Sequence, residues 1–410
     1  MLTESAGYKR IKEKNGRIAT YLALAILPLS GFATDIYIPS LPHMGSDLGI
    51  SNNQVQLTLS LFLISYGIFQ LFAGSFIDSF GRYYLGLGAL IVFCISCLVI
   101  ATTSNIYLIY LMRIVHGVSI ALIIVAKRAY FVDVFTGDQL KFYLSIFTII
   151  WSAGPILAPF FGGYLQASFG WRSNFYFLAV FAGIIAVLEF VFSGETIRNR
   201  TEFNFSTVSR IYVKMIRTAS FTLGLVMLGL SYSLVMVFNM TGSYIVEHHF
   251  SGSPVLAGYC SLISGLAWMT GGFAGKVTIK QPFYKKLVIN LFLQFLFIIS
   301  MVVCLGFIFN LYMLMFFVFI IHATTGYNYN IYFAHSLSRF PQNAGIAGGL
   351  AGGISYVTIS VLSYGIVYFI PARDERNLSY SYLLLNLLSI LVIFVVLKVE
   401  KKRLPLASPM

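Results

Sequence analysis

The chain has 410 residues, 58% of them hydrophobic and only 10% charged. A soluble domain carries about a quarter charged residues, and no single core absorbs so much apolar surface, so this composition excludes a soluble globular protein and puts the excess against lipid. The formal charge of +13 raises nucleic acid as a partner, and the placement of the basic residues argues against it.

In chain order, a basic start, YKRIKEKNGR, leads into an apolar run of about 21 residues. That length spans a bilayer and exceeds the core of a signal peptide, so no cleavable leader is expected. Comparable runs recur at 18–38, 55–77, 83–103, 106–126, 142–165, 174–193, 219–246, 255–275, 287–308, 311–334, 345–370 and 380–397. Each is too long for a membrane strand, so the prediction is an all-α membrane protein of twelve transmembrane helices, spans 1 to 12. The longest polar connection, 194–218, splits them six and six. The predicted organisation is one bundle over 1–193, a cytoplasmic linker over 194–218 and a second bundle over 219–410, a common plan for secondary transporters.

With both termini on one side, 23 of the 27 Lys and Arg residues fall on that side. Three, Arg172, Arg373 and Arg376, fall on the other, and Arg113 lies within a span. The side rich in positive charge is the cytoplasmic one, so both termini are expected there. This asymmetry accounts for the basic charge without nucleic acid. No phosphate-binding GxxxxGK[ST] loop is present, since Gly275-Lys276 is followed by Val, so no ATP-driven pump is indicated. Cys94, Cys97, Cys260 and Cys304 all lie in apolar runs and read as free thiols. Neither a metal site nor a cofactor is expected. Glu247, His248 and His249 resemble metal ligands in miniature but read as a solvated turn.

Ionisable groups inside spans are costly and therefore informative. Asp35 in span 1 and Arg113 in span 4 lie at similar depths on the side away from the termini and are expected to face one another. A structural ion pair and a proton-exchange site are both open for them. His116, one turn from Arg113, is a candidate titrating group or a packing histidine. Glu189 is expected at the interface. Tyr37 in span 1, Tyr66 and Gln70 in span 2, Tyr232 and Asn239 in span 7, and His322 and Tyr329 in span 10 are candidate substrate-binding groups. About half of the polar groups are expected to line a cavity and the rest to join helices. Pro39 and Pro42 are expected to end or bend span 1 behind Asp35. Span 5 carries AGPILAPFFGG, in which Gly154, Pro155, Pro159, Gly162 and Gly163 suit a bending helix at a moving interface between the halves.

The loop GSFIDSFGRYY resembles the major facilitator superfamily signature G-x-L-A-D-R-x-G-R-[RK]. Gly74, Asp78, Gly81 and Arg82 match, whereas Ser79 and Tyr83 replace basic residues. TDIYIPSLP, VQLTLS, LMRIVHGVSIA, GPILAPFFGG and FPQNAGIAGGLAG resemble the bicyclomycin/chloramphenicol-resistance branch of drug exporters. His116 stands where that branch usually has Gln, and Val132 in KRAYFVDVF stands where it has a basic residue. The resemblance implies two pseudo-symmetric six-helix bundles and a monomeric, proton-driven exporter of small amphipathic organic molecules in the bacterial inner membrane. It implies Asp35 as the proton-linked acid and Arg113 as its membrane-embedded partner; His116, a departure from the branch, joins them as a candidate only on its place one turn from Arg113. Asp78 and Arg82 become a gating loop. Uptake of a metal chelate or nutrient by the same fold is the alternative. An intramembrane enzyme would show a clustered nucleophile and base, and a sensor would carry a soluble signalling domain. The sequence offers neither.

Overall fold

The computed structural model describes residues 9–197, 205–307, 310–340, 344–371 and 374–403. Arg198, Arg200, Arg373 and residues 341–343 of the FPQNAG stretch lie outside the described residues. Among the described residues, twelve helices are long and apolar enough to cross a membrane. Span 1 covers Glu13–Leu48 in pieces: α1 (Gly16–Ala25), α2 (Leu29–Asp35), a 3-10 turn (Ile38–Ser40) and α3 (Leu41–Leu48). Spans 2 to 6 are α4 (Asn52–Phe80), α5 (Arg82–Thr102), α6 (Ile106–Val134), α7 (Gly137–Phe169) and α8 (Arg172–Phe192). A short helix, α9 (Phe205–Ile216), lies between the halves. Spans 7 to 12 are α10 (Ala219–Tyr244), α11 (Pro254–Val277), α12 (Phe283–Cys304), α13 (Leu311–Ser338), α14 (Ala344–Phe369) and α15 (Glu375–Arg403).

Several helices outrun the predicted spans. At 33 residues α7 is about 50 Å long, well beyond a hydrocarbon core of about 30 Å. Hydropathy marks only the lipid-facing middle, so Lys127 and Arg128 belong to α6 and not to a loop. Local chemistry sets the starts. Ser51 and Gln54 form a reciprocal cap on α4, and the Asn105 side chain accepts from the Tyr107 and Leu108 amides at the start of α6. Of the two outcomes expected for Pro39 and Pro42, ending or bending span 1, the first is corrected. Both sit in the first turn of a new helical piece, where a missing N–H costs little, and the path continues to Leu48. It stops at Gly49, whose φ of 64° suits glycine. The earlier break, at Pro28, had no counterpart in the prediction.

Within the first half α6 packs on α4 and α5, α5 on α8, and α7 on α2. Within the second, α13 packs on α10, α11 and α12, and α15 on α10 and α12. Between halves the main seams are α4 with α14 and α7 with α11. The span 5 glycines explain how α7 serves two neighbours. A Cβ on Gly154 or Gly162 would meet backbone atoms of Pro28 or Ile36 in span 1, whereas one on Gly163 would meet Pro254 across the seam. The helix runs through Pro155 and Pro159.

The two ends of the molecule differ. Call the end with the termini the basic end and the other the far end. Toward the far end the halves touch through Gln56, Ser60 and Tyr164 on one side and Met240, Ser360 and Tyr259 on the other. Gly67 of α4 lies against the Gly353 carbonyl of α14, but Gly74, two turns nearer the basic end, has nothing within 4 Å. Phe142 and Ile149 of α7 are likewise exposed there. The halves are closed at the far end and diverge toward the basic end.

Candidate substrate cavity

Where the halves diverge they line a cavity that opens to solvent, with about 930 Å³ of empty space when the open part is included. The first half lines it with Ser30, Thr34 and Asp35 of span 1, Leu63 and Tyr66 of span 2, and Trp151, Pro155 and Pro159 of span 5. The second half supplies Tyr232, Met236 and Asn239 of span 7, Ser264 and Trp268 of span 8, Tyr329 of span 10 and Tyr356 of span 11. Tyr232, Trp268 and Tyr329 form a ring cluster with centroids 5.8–6.0 Å apart. Tyr66 stacks on Tyr356 across the seam at 4.6 Å. These rings offer broad apolar area with few rotamers to freeze.

Asp35 is the sole Asp, Glu, Lys, Arg or His among the lining residues. The Pro28 break and the 3-10 turn place it at the end of the short piece α2. It is 2% exposed. Its carboxylate is met from across the seam, where Asn239 Nδ2 donates to Oδ1 at 3.4 Å. Arg113 makes its hydrogen bonds elsewhere, so of the two readings open for the pair the structural ion pair is the one corrected. Arg113 is wholly buried inside the first half. Its Nη1 donates to the Ala33 carbonyl at 2.9 Å and its Nε to the Thr58 carbonyl at 3.3 Å. The guanidinium lies over the Tyr37 ring at 4.8 Å and the Phe62 ring at 4.5 Å. Two carbonyls and two ring faces thus meet the guanidinium, while its Nη2 has no hydrogen-bond partner among the described residues. The Ala33 contact pins the backbone two residues before Asp35.

Three other candidates turn away from the cavity. His116 is fully buried, with Nδ1 3.4 Å from Arg113 Nη1 and Nε2 3.4 Å from Cys97 Sγ. Tyr37 shares a hydrogen bond of 2.8 Å with Thr58 and lies under Arg113. His322 sits behind the wall, with Nδ1 2.7 Å from Ser264 Oγ and Nε2 2.8 Å from the Tyr382 hydroxyl. Gln70 lies beside Gly352 at the seam and outside the lining. Tyr66, Tyr232, Asn239 and Tyr329 do line the cavity. Of the others, Trp151, Trp268 and Tyr356 had a readable signal in part. Two of the three tryptophans fall in mid-span, where this residue is unusual, since it favours the interface.

At the basic end, Arg82 pairs with Asp78 at 2.9 Å and with Asp133, and donates to the Ala129 carbonyl at 3.2 Å. Gly81, with φ of 104°, makes the turn between α4 and α5 that only glycine takes readily. The amides that open α5 are accepted by Glu195 and not by Asp78. Glu189, expected at the interface, is 2% exposed and pairs with Lys127 at 2.7 Å. The EHH turn is not simply solvated, because Glu247 contacts His43 at 2.8 Å and His249 contacts Glu375 at 2.6 Å. Among the described residues no three His, Cys, Asp or Glu side chains converge as a metal site would require, and the four cysteines are free.

Two bundles of membrane helices thus surround a central cavity, with a short charged turn between spans 2 and 3. Residues 23–363 match the Major Facilitator Superfamily. The chain belongs to that superfamily. It is a multi-pass membrane transporter of small molecules and not an enzyme. Within the superfamily it is similar to the bicyclomycin-resistance branch. It is 29% identical to a bicyclomycin resistance protein homolog of Haemophilus influenzae over 84% of this chain and 87% of that one. It is also 29% identical to the multidrug resistance protein D of Escherichia coli, over 41% of this chain and 43% of that protein. Among solved structures, a D-xylose-proton symporter superposes with a TM-score of 0.71 at 15% identity, covering 92% of this chain and 96% of that one. A bacterial homolog of the human lysosomal transporter Spinster, in an inward-facing, unoccupied conformation, gives 0.69 at 13% identity, covering 95% and 96%. These two likenesses speak for the fold of the transporter alone.

Proposed function

We propose that this transporter is a proton-coupled antiporter that exports small organic molecules across the bacterial inner membrane, with both termini in the cytoplasm. Residues 1–193 and 219–410 act as the two rocking bundles, joined by a linker over 194–218. The observation that carries the reading is the placement of Asp35, the one strongly ionisable side chain on a cavity that both halves line. With the far end open, Asp35 takes a proton and the substrate departs. With the basic end open, the proton leaves to the cytoplasm and substrate binds among Tyr66, Trp151, Tyr232, Asn239, Trp268, Tyr329 and Tyr356. A wall with one acid and no base suits a neutral or cationic amphipathic molecule and disfavours an anion. Arg113 acts as a positioning residue for span 1. The Asp78–Arg82 turn and the glycines and prolines of span 5 serve the rocking motion. One proton moving through 100 mV yields about 2.3 kcal/mol and one pH unit about 1.4 kcal/mol more, enough for a several-hundredfold gradient of a neutral solute.

The test is a screen of substrate-induced proton release from purified protein in liposomes, repeated with Asp35→Asn. The variant is expected to fold, bind and lose every proton-linked flux. Undiminished coupling in Asp35→Asn defeats the reading. Accumulation in the direction of the proton gradient overturns export in favour of uptake.

A further inference from the structure

Part of the far-end closure is built on one face of span 7. Met240, Ser243 and Glu247 recur at spacings of three and four, which is one stripe of a helix. Gln56 Nε2 of span 2 donates to the Met240 carbonyl at 2.9 Å. Ser243 Oγ donates to the Ile38 carbonyl of span 1 at 2.8 Å. Glu247 Oε2 lies 2.8 Å from His43 Nε2 in α3. Asn239, next to Met240, is the residue that reaches Asp35. The contacts between halves therefore run without a gap from the cavity carboxylate to the far surface.

The last of these contacts differs in kind. The Met240 and Ile38 acceptors are backbone carbonyls, which any residue provides. His43 and Glu247 meet side chain to side chain, and the Glu247 side chain is only 7% exposed. A carboxyl group buried that far calls for a polar partner, and His43 Nε2 stands within reach. Asp47, the nearby acid, is already taken by Trp171 Nε1 at 3.0 Å and by Arg172, which leaves His43 to Glu247. Two residues after Glu247, His249 points the other way, to Glu375 of its own half at 2.6 Å. The π-helical turn Ile245–His249 thus has one hand on each half. Substrate leaving by the far end has to part the first contact and not the second.

We infer that the His43–Glu247 contact is the far-side latch of the transporter, made when the far end is closed and broken whenever it opens, while His249–Glu375 keeps the turn on the second half. The inference rests on the rocking-bundle reading above for its place in a cycle, but not for the contact itself.

The experiment measures the far-end opening directly. Spin labels go on Phe169→Cys in the first half and Phe369→Cys in the second, both strongly exposed at the far end, with the four native cysteines replaced. Electron–electron resonance distances are recorded in nanodiscs. The parent protein is expected to give mainly the short, closed distance. Glu247→Gln and His43→Gln are each expected to raise the ratio of long to short populations by about three- to tenfold. The double variant is expected to go no further than the larger single effect, because both remove one contact. Unchanged distances in both singles, or a double effect equal to the product of the two, overturns the latch. Should one variant fail to fold, the other reads the same contact from the opposite half. A latch that responds while Asp35→Asn still couples protons leaves this inference standing and removes the reading of Asp35. Unmoved distances beside intact, Asp35-dependent coupling do the reverse.

Discussion

Replacing Gly162 by alanine tests how tightly span 1 is held at the proton-linked acid. A Cβ there would stand 1.6 Å from the Ile36 carbonyl oxygen and 2.7 Å from its carbon, where ordinary contact begins near 3.4 Å. Span 1 and α7 would have to part by about 1.8 Å, and the obstacle is backbone, which no rotamer change removes. The cost falls at the upper end of overpacking, about 3 kcal/mol, a large share of a typical total of about 5–15 kcal/mol. Gly74 is the matched control. It lies inside α4 with nothing within 4 Å, so Gly74→Ala removes only the entropic cost of a helical glycine and stabilises this state by about 0.5–1 kcal/mol. The assay is thermal unfolding of purified protein, followed by the reaction of the buried thiols of Cys97 and Cys260 with a fluorogenic dye. The midpoint is expected to fall for Gly162→Ala and to rise slightly for Gly74→Ala. If Gly162→Ala melts with the parent, or if Gly74→Ala is the more damaging, the packing argument is wrong.

Arg113→Lys keeps the charge but loses the planar fork that serves two carbonyls between two rings, so a loss of about 2 kcal/mol is expected in the same melt. A neutral result would mean that the clamp on span 1 is not real. Lys127→Met or Glu189→Gln alone strands a buried partner and is expected to cost about 3–5 kcal/mol, whereas Lys127→Met combined with Glu189→Leu recovers most of it; a double variant as poor as the singles refutes the pairing. Glu195→Gln turns an amide donor toward a carboxylate site that accepts four backbone amides, those of Arg82, Tyr83, Thr196 and Ile197. Hydrogen exchange at Arg82 and Tyr83 should accelerate, with a loss of about 2 kcal/mol. Unchanged exchange would show that the cap is dispensable.

The twelve spans were legible because about 20 apolar residues in a row, repeated along a chain, fit little except membrane helices, and the loop charges gave an independent check on their number. The cavity was legible only in part. Periodicity says which residues share a helix face, not what that face meets. Tyr66, Tyr232, Asn239 and Tyr329 meet the space between the halves, while Tyr37, His116 and His322 meet partners inside one half. In a chain with so few polar groups, helix glue and cavity wall draw on the same residue types. The hydrogen bonds of Arg113 were not legible because a sequence shows no backbone carbonyls, and two of these accept from it. The Pro28 break went unread since proline is compatible with both a kink and a helix start, and only the packing of Gly154 against it decides.

One small feature bears on how such a chain is made. Arg10 and Glu195 form a single parallel bridge, the Glu195 amide donates to the Lys9 carbonyl at 2.7 Å, and Arg10 reaches the Ile197 carbonyl at 2.8 Å. The opening segment of the polypeptide is therefore stitched to the stretch that follows span 6, through contacts that all lie at or before residue 197. During synthesis the leading six helices can be zipped shut by their own two ends before the ribosome has made any of the trailing six. A gene cut in the connecting stretch, with its two products made together, should then yield a working pair.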